Sequence, residues 1–327
     1  MRRSLMGMAV AAAAAAGLLA PAGPALAQDV ALRMAHIYPP GNIWYDAAEA
    51  YKQAVEERSG GSITITIDHS GMTGDWPQSI EGLLIGTNDI VLQSVGTLDR
   101  YDTIAGIEAY PYLVRDLDHF KAVYFGELGS ELFEEIREKT GFRIVGAGYR
   151  GARHMSSSRA VRSVEDLNGV KLRVPPLRMY RLTWELLGAS PVPMGVAELF
   201  TSLQQRVVDG QENPLEVIES QRFDEVQDYV VETAHVIGAM TFIFHGPRFE
   251  QLPEEVRTLL QEEGDRVMLE FSDRMAATEA EIKQRLQDKG MEFIEVDRAA
   301  FQAKLDGMLA EFPELAGWVE RIQASAP

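Results

Sequence analysis

The chain has 327 residues, with 31 Lys and Arg against 49 Asp and Glu and a formal net charge of −18. A surface this acidic repels nucleic acid and anionic lipid at long range, which argues against both as partners. With no cysteine it has no disulfide, thiol nucleophile or cysteine metal site, and its length is enough to bury two lobes without such staples.

Met1-Arg2-Arg3 precedes an apolar run from Leu5 to Ala20, a break at Pro21 to Pro24, and Ala25-Leu26-Ala27. A basic start, an apolar stretch and an Ala-x-Ala end predict a secretory signal peptide over 1–27, cleaved after Ala27. The run is too short and too weakly hydrophobic for an anchor, which needs about 20 apolar residues. Arg2-Arg3 alone does not separate general secretion from the twin-arginine route. Removing 1–27, with two Arg and no acid, leaves 300 residues at a net charge of −20. No later segment is apolar for long enough to cross a bilayer, so a soluble exported protein is expected. An acid-binding site in it needs cations placed locally, and the Debye length of about 8 Å lets it ignore distant charge.

Val30, Leu32 and Met34 alternate as a strand does. Trp44, Ala47, Ala48, Tyr51 and Val55 recur at helical spacing until Ser59-Gly60-Gly61 stops them. Ile63, Ile65 and Ile67 alternate again. Pro77 sits at a helix start with Ile80, Leu83 and Leu84 on one face, and Asp89 to Val95 reads as a strand. Strand, helix, strand, helix, strand is the order of a doubly wound, mostly parallel sheet. A second such unit follows. It comprises a strand at Val170–Val174, a helix from Met179 to Leu187, an extended Pro191–Met194, a helix over Val196–Arg206 and an extended Val207–Gln211. Pro253 to Lys289 reads as one amphipathic helix, about 50 Å long, that braces both lobes. Glu292 to Val296 is a candidate last strand, and the remainder looks helical.

Gly146-Ala147-Gly148-Tyr149-Arg150-Gly151 matches G-x-G-x-x-G after a strand at Phe142–Val145. Dinucleotide binding requires a helix to begin there. Ala152-Arg153-His154-Met155 followed by three serines is a poor helix start, so a flexible crossover at a lobe boundary fits better. Val170-Lys171-Leu172-Arg173-Val174-Pro175 places Arg173 near the carboxyl end of a strand, where open α/β sheets bind ligands. A guanidinium there can hold a carboxylate with two parallel hydrogen bonds, or form a structural ion pair. Asp209-Gly210-Gln211-Glu212-Asn213-Pro214 follows a predicted strand. Its Asn213 amide either meets a ligand or closes a loop. The six histidines show no metal-binding spacing, but His36 ends the first strand at the same rim. No nucleophile elbow or P-loop occurs. Neither a metal nor a cofactor is expected.

The Arg173 segment, Gly188-Ala189-Ser190-Pro191-Val192-Pro193-Met194, the Asp209–Pro214 segment, Glu225-Val226-Gln227 and His235 occur in one order and spacing. This closely resembles the extracytoplasmic solute-binding subunit of tripartite ATP-independent periplasmic (TRAP) transporters, the DctP-like family, over essentially the whole exported chain. The resemblance implies a two-lobed, periplasmic-binding-protein-like α/β fold. Each lobe is a mostly parallel sheet flanked by helices, and a long helix spans both. It places 28–150 with 239–278 in the first lobe and 151–238 with 279–327 in the second. It implies capture of a small organic acid, a sugar acid or C4-dicarboxylate, and docking on TRAP permease subunits for sodium-driven uptake. Arg173 is then the carboxylate clamp, Arg153 a second arginine and Asn213 the cleft asparagine, with His36, Trp76, Ser94 and Val196 also facing the cleft. Gly74-Asp75-Trp76-Pro77 and Val196 depart from residues common at those places, which leaves the ligand open. His36, Tyr38 and Trp76 favour a hydroxylated acid. A monomer is expected, with a dimer as the alternative. The rival readings are an exported enzyme, for which no catalytic constellation is visible, and a ligand sensor for a membrane receptor.

Overall fold

The computed structural model describes residues 29–325. The expected signal peptide and its cleavage site lie outside them. Among the described residues, no helix is long and apolar enough to cross a membrane.

The strands are β1 Val30–Ala35, β2 Ile63–Asp68, β3 Ile90–Ser94, β4 Phe142–Ser157, β5 Lys171–Val174, β6 Ser190–Pro193, β7 Gly210–Pro214, β8 Tyr229–Val231, β9 Ile237–His245 and β10 Glu292–Ile294. They run in the order β2-β1-β3-β9-β4-β7-β5-β6, with β8 joined to β4 and β10. In the first lobe β1 lies parallel to both β2 and β3. In the second, β5 lies parallel to β6 and β7. Between them β9 and β4 run antiparallel. β4 serves both lobes, pairing with β9 up to Ala152 and with β7 from Arg153.

The helices of the first lobe are α1 Ile43–Arg58, α2 Trp76–Ile85, α3 Leu117–Tyr124 and α4 Glu127–Thr140. Those of the second are α5 Arg178–Leu186, α6 Leu199–Gln204 and α7 Leu215–Ser220. A single turn, α8 Gly246–Phe249, leads into α9 Glu254–Asp288, and three short helices close the chain: α10 Arg298–Ala303, α11 Met308–Glu311 and α12 Ala316–Ala324. Local chemistry explains the starts. Asn42 caps α1 by accepting from the Trp44 N–H, and Asp75 caps α2 by accepting from the Trp76 N–H. Gly86, at φ 84°, ends α2. The apolar stripe of α1 is buried as its spacing predicts: Trp44, Ala47, Ala48, Tyr51 and Val55.

The long helix is present as expected. At 35 residues α9 runs about 50 Å, and it packs on β4 and α1. Two glycines permit the approach. A Cβ on Gly264 would lie 2.3 Å from Val145 Cγ1, and one on Gly146 would lie 2.6 Å from the Gly264 carbonyl oxygen. Gly148 similarly faces the Trp44 ring. The glycine-rich segment is therefore neither a nucleotide loop nor a break in the strand. It is the middle of a continuous 16-residue strand with irregularities at Val145/Gly148 and Tyr149/Ala152. Bulges of this kind leave extra residues that re-aim side chains.

Two other boundaries move. The predicted helix over Val196–Arg206 shrinks to Leu199–Gln204, and the strand expected at Val207–Gln211 forms at Gly210–Pro214. Asn213 therefore lies within a strand rather than after one. At the C-terminus, α12 packs on the first lobe. Trp318 Nε1 donates to Glu135 Oε2 (2.8 Å) and His119 Nε2 meets the Ile322 carbonyl (2.8 Å).

Candidate functional site

Where the two lobes face each other, a narrow cavity of about 10 Å³, room for about one water, lies between β4, the ends of β5 and β7, and the start of α2. That is far below the roughly 300–1,000 Å³ usual for small-molecule sites, a size reached by the adjoining space nearer solvent, at about 320 Å³. The first lobe contributes Tyr38 and Trp76, the crossing strand Arg150, and the second lobe Arg173, Val196 and Asn213. A mouth beside Pro39, Asp75 and Ala197 leads outward. Asp75 bridges this mouth: one oxygen caps α2 and the other accepts from the Val196 N–H (2.9 Å).

Arg173 is 3% exposed. Its Nε donates to the Met194 carbonyl (2.8 Å), and among the described residues no carboxylate lies within ion-pair distance. Burial is the main reason its pKa falls to about 10, so it remains cationic at neutral pH. A buried guanidinium without a carboxylate partner is costly, and an anionic ligand would remove that cost.

Arg153 has a different setting. It is 1% exposed and does not line the cavity. Nε and Nη2 donate to the two Glu212 oxygens (2.6 and 2.8 Å), and Nη2 also reaches Asn213 Oδ1 (3.0 Å). Its guanidinium lies over the Tyr180 ring. Burial opposes the charge on both partners of this pair. The mutual attraction outweighs it, raising the Arg153 pKa and, with help from His235, holding Glu212 at about 2. Burial lowers the His235 pKa, so its ring is neutral. Nε2 donates to Glu212 (3.0 Å) and Nδ1 accepts from the Thr233 hydroxyl (2.9 Å). Asn213 continues the network by donating to Gln211 Oε1 (2.6 Å), which leaves one amide hydrogen for the cavity.

Arg150 was not among the residues expected from the sequence. It is 2% exposed, lines the cavity, and lies over the Trp76 ring. Its Nε is 3.8 Å from Glu216 Oε1, too far for a hydrogen bond, and has no other partner. Glu216 is held from the first lobe by Asn42 Nδ2 (2.8 Å) and Trp44 Nε1 (3.2 Å). Burial raises the Glu216 pKa against the pull of Arg150 and these donors. In a regular strand residues three apart face opposite sides. The irregularity between Tyr149 and Ala152 lets Arg150 line the cavity while Arg153 bonds Asn213 of its wall. Sequence spacing carried no signal of that bulge.

The remaining expected residues divide. Trp76 and Val196 are in the wall, and Trp76 Nε1 is buried without a partner. Ser94 is buried outside the wall, donating to Glu108 Oε2 (2.6 Å). His36 is also behind the wall. Its Nδ1 accepts from the Tyr38 N–H (3.2 Å), and burial, then the nearby His69, lowers its pKa to about 4. The arrangement offers donors and one unneutralised cation. Among the described residues no cluster of metal-ligating side chains occurs.

Residues 34–314 match the family model described as bacterial extracellular solute-binding protein, family 7 (DctP). A solute-binding protein of Roseobacter denitrificans is 34% identical over 291 residues, 89% of each chain. A TRAP periplasmic solute-binding protein of that organism, solved with bound L-galactonate, superposes with a TM-score of 0.85 at 33% identity, over 90% of this chain and 99% of the other. The sialic acid-binding periplasmic protein SiaP of Vibrio cholerae is 28% identical, over 85% of this chain and 86% of its own. A further TRAP protein, from Ochrobacterium anthropi with bound L-fuconate, has a TM-score of 0.85 at 30% identity, covering 91% and 99%. These relatives are solute-binding proteins rather than enzymes.

Proposed function

The chain belongs to family 7 of the bacterial extracellular solute-binding proteins, the DctP-like subunits of TRAP transporters, and from that premise we propose that it captures a sugar acid and delivers it to a TRAP permease. Arg173 clamps the ligand carboxylate between the lobes. Cleavage after Ala27 leaves the working protein in the periplasm. The observation that carries the reading is a buried, cavity-lining guanidinium with no carboxylate partner. Relatives solved with L-galactonate and L-fuconate support the class of acid.

Magnitudes agree with this role. A hydrogen bond to a charged group is worth about 1.5–3 kcal/mol. A micromolar dissociation constant requires about −8 kcal/mol. The clamp supplies a large share, and other wall contacts with lobe closure supply the rest. Closure divides the chain through β4, β9 and α9, with 28–150 and 239–278 on one side and 151–238 and most of 279–327 on the other. The packing of α12 on Glu135 and His119 favours assigning the segment beyond Phe312 to the first lobe.

A thermal-shift screen of the exported chain against small organic acids tests the proposal. A ligand at 100 times its dissociation constant adds about 2.7 kcal/mol, a shift of several degrees for a chain of this size. The expected hits are aldonates or uronates, and Arg173→Ala should abolish them. If no acid shifts the melt, and mass spectrometry of the denatured protein finds no co-purified acid, the carboxylate reading fails.

A further inference from the structure

We propose that Arg150, balanced by Glu216, is the specificity-determining residue of the cleft, and that it selects acids with one carboxylate and an uncharged second oxygen over dicarboxylates. This rests on the reading of Arg173 as the carboxylate clamp and adds the chemistry of the rest of the ligand.

The pairing of charges around the cavity carries the inference. Arg153 is saturated by Glu212, and Arg150 faces Glu216 across 3.8 Å. Among the described residues, Arg173 alone of these three arginines has no carboxylate within ion-pair distance. One ligand carboxylate answers it. A second carboxylate reaching Arg150 would come up beside Glu216, and two like charges in a water-poor cavity repel far more strongly than they do in water. The geometry keeps Glu216 there, because Asn42 and Trp44 anchor both of its oxygens.

Hydrogen-bond accounting points the same way. Buried polar atoms without partners are uncommon in folded proteins. Two occur on neighbouring side chains of this wall: Arg150 Nε and Trp76 Nε1, with the guanidinium 5.7 Å above the indole ring. Both are donors. Arg150 cannot satisfy itself on Glu216 at 3.8 Å. A hydroxyl or carbonyl oxygen on the ligand can accept from this pair without bringing charge to Glu216. A site built to hydrogen-bond one ligand oxygen rejects analogues that do not offer it.

Isothermal titration of the purified protein with L-galactonate, D-galacturonate, galactarate and succinate tests this. At least one of the first two is expected to bind, with galactarate and succinate at least about 100-fold weaker. Arg150→Gln is expected to weaken the bound monocarboxylate about tenfold or more, as loss of a charged hydrogen bond does. Glu216→Gln removes the repelling charge and is expected to narrow the gap to galactarate about tenfold or more. Melting curves of both variants establish that they fold. If galactarate binds the unaltered protein as tightly as the monocarboxylate, or if neither folded variant changes the ratio, this inference is overturned and the Arg173 clamp stands. If no aldonate or uronate binds the unaltered protein, the sugar-acid reading itself falls, and this inference with it.

Discussion

Replacing Arg173 with methionine separates binding from stability, because the two should move in different directions. Burial brings the guanidinium pKa to about 10 from an ordinary value above about 12, so holding the charge in the fold costs about 3 kcal/mol. The sign follows from the depressed value: at pH 7, below both pKa values, the residue is charged in both states and the cost is fully present. The substitution removes that cost but forfeits the Nε bond to the Met194 carbonyl (2.8 Å), worth about 1.5–3 kcal/mol. Methionine keeps most of the stem's packing. The net expectation runs from no change to a gain of about 1.5 kcal/mol without ligand, a few degrees in melting at most. Urea denaturation at pH 7, with and without the acid found in the screen, measures both effects. The unaltered protein should gain stability with the acid and Arg173→Met should not. A loss of about 3 kcal/mol or more without ligand would mean that Arg173 is a structural pair of the kind Arg153 makes. Retained stabilisation by the acid would refute the clamp.

Glu212→Gln makes the converse case. It breaks the buried bidentate pair with Arg153 and should cost about 3–5 kcal/mol in urea denaturation. Because Glu212 is held at about 2, its contribution is present above about pH 4 and is lost as pH falls toward 2; the variant's stability should be flatter across that range. Asp99 accepts from the Arg178 N–H (3.0 Å) and so caps α5 from the first lobe, where Leu177 offers no side-chain cap. Burial raises its pKa to about 6 against the hydrogen bonds from Arg178 and Arg100. A raised carboxyl pKa makes the fold less stable as pH rises from about 4 to 6. Asp99→Asn should therefore stabilise by about 3 kcal/mol above pH 6, and the difference should vanish below about pH 4 in melts at stepped pH. Gly146→Ala places a Cβ 2.6 Å from the Gly264 carbonyl at a φ of 67°. It should cost about 2–4 kcal/mol by displacing α9 from β4, read as a lower urea midpoint; an unchanged midpoint would show that this close approach is not needed.

Much of the architecture is legible in the chain because its signals are local. Alternation at Val30 to Met34 and at Ile63 to Ile67, the Trp44–Val55 stripe, and Pro77 at the start of α2 each involve residues close to one another in the chain. The same holds for α9, whose length follows from 35 residues without a proline. β4 was only partly legible. Its glycines at 146, 148 and 151 look like a chain break, and what makes them necessary is a helix more than 100 residues downstream.

Sequence alone determined the two α/β units, the long brace, and Arg173 near the end of a strand, the position at which open α/β sheets in general bind ligands. Only the tertiary structure decided what the arginines meet. Arg153 finds Glu212 59 residues away, Arg150 stops 3.8 Å short of Glu216, and Arg173 meets no carboxylate among the described residues. Counterions are chosen by three-dimensional proximity, and a single bulge between Tyr149 and Ala152 changes which guanidinium lines the cavity. No periodicity in the chain encodes that outcome, because it depends on strands, helices and bulge being assembled together.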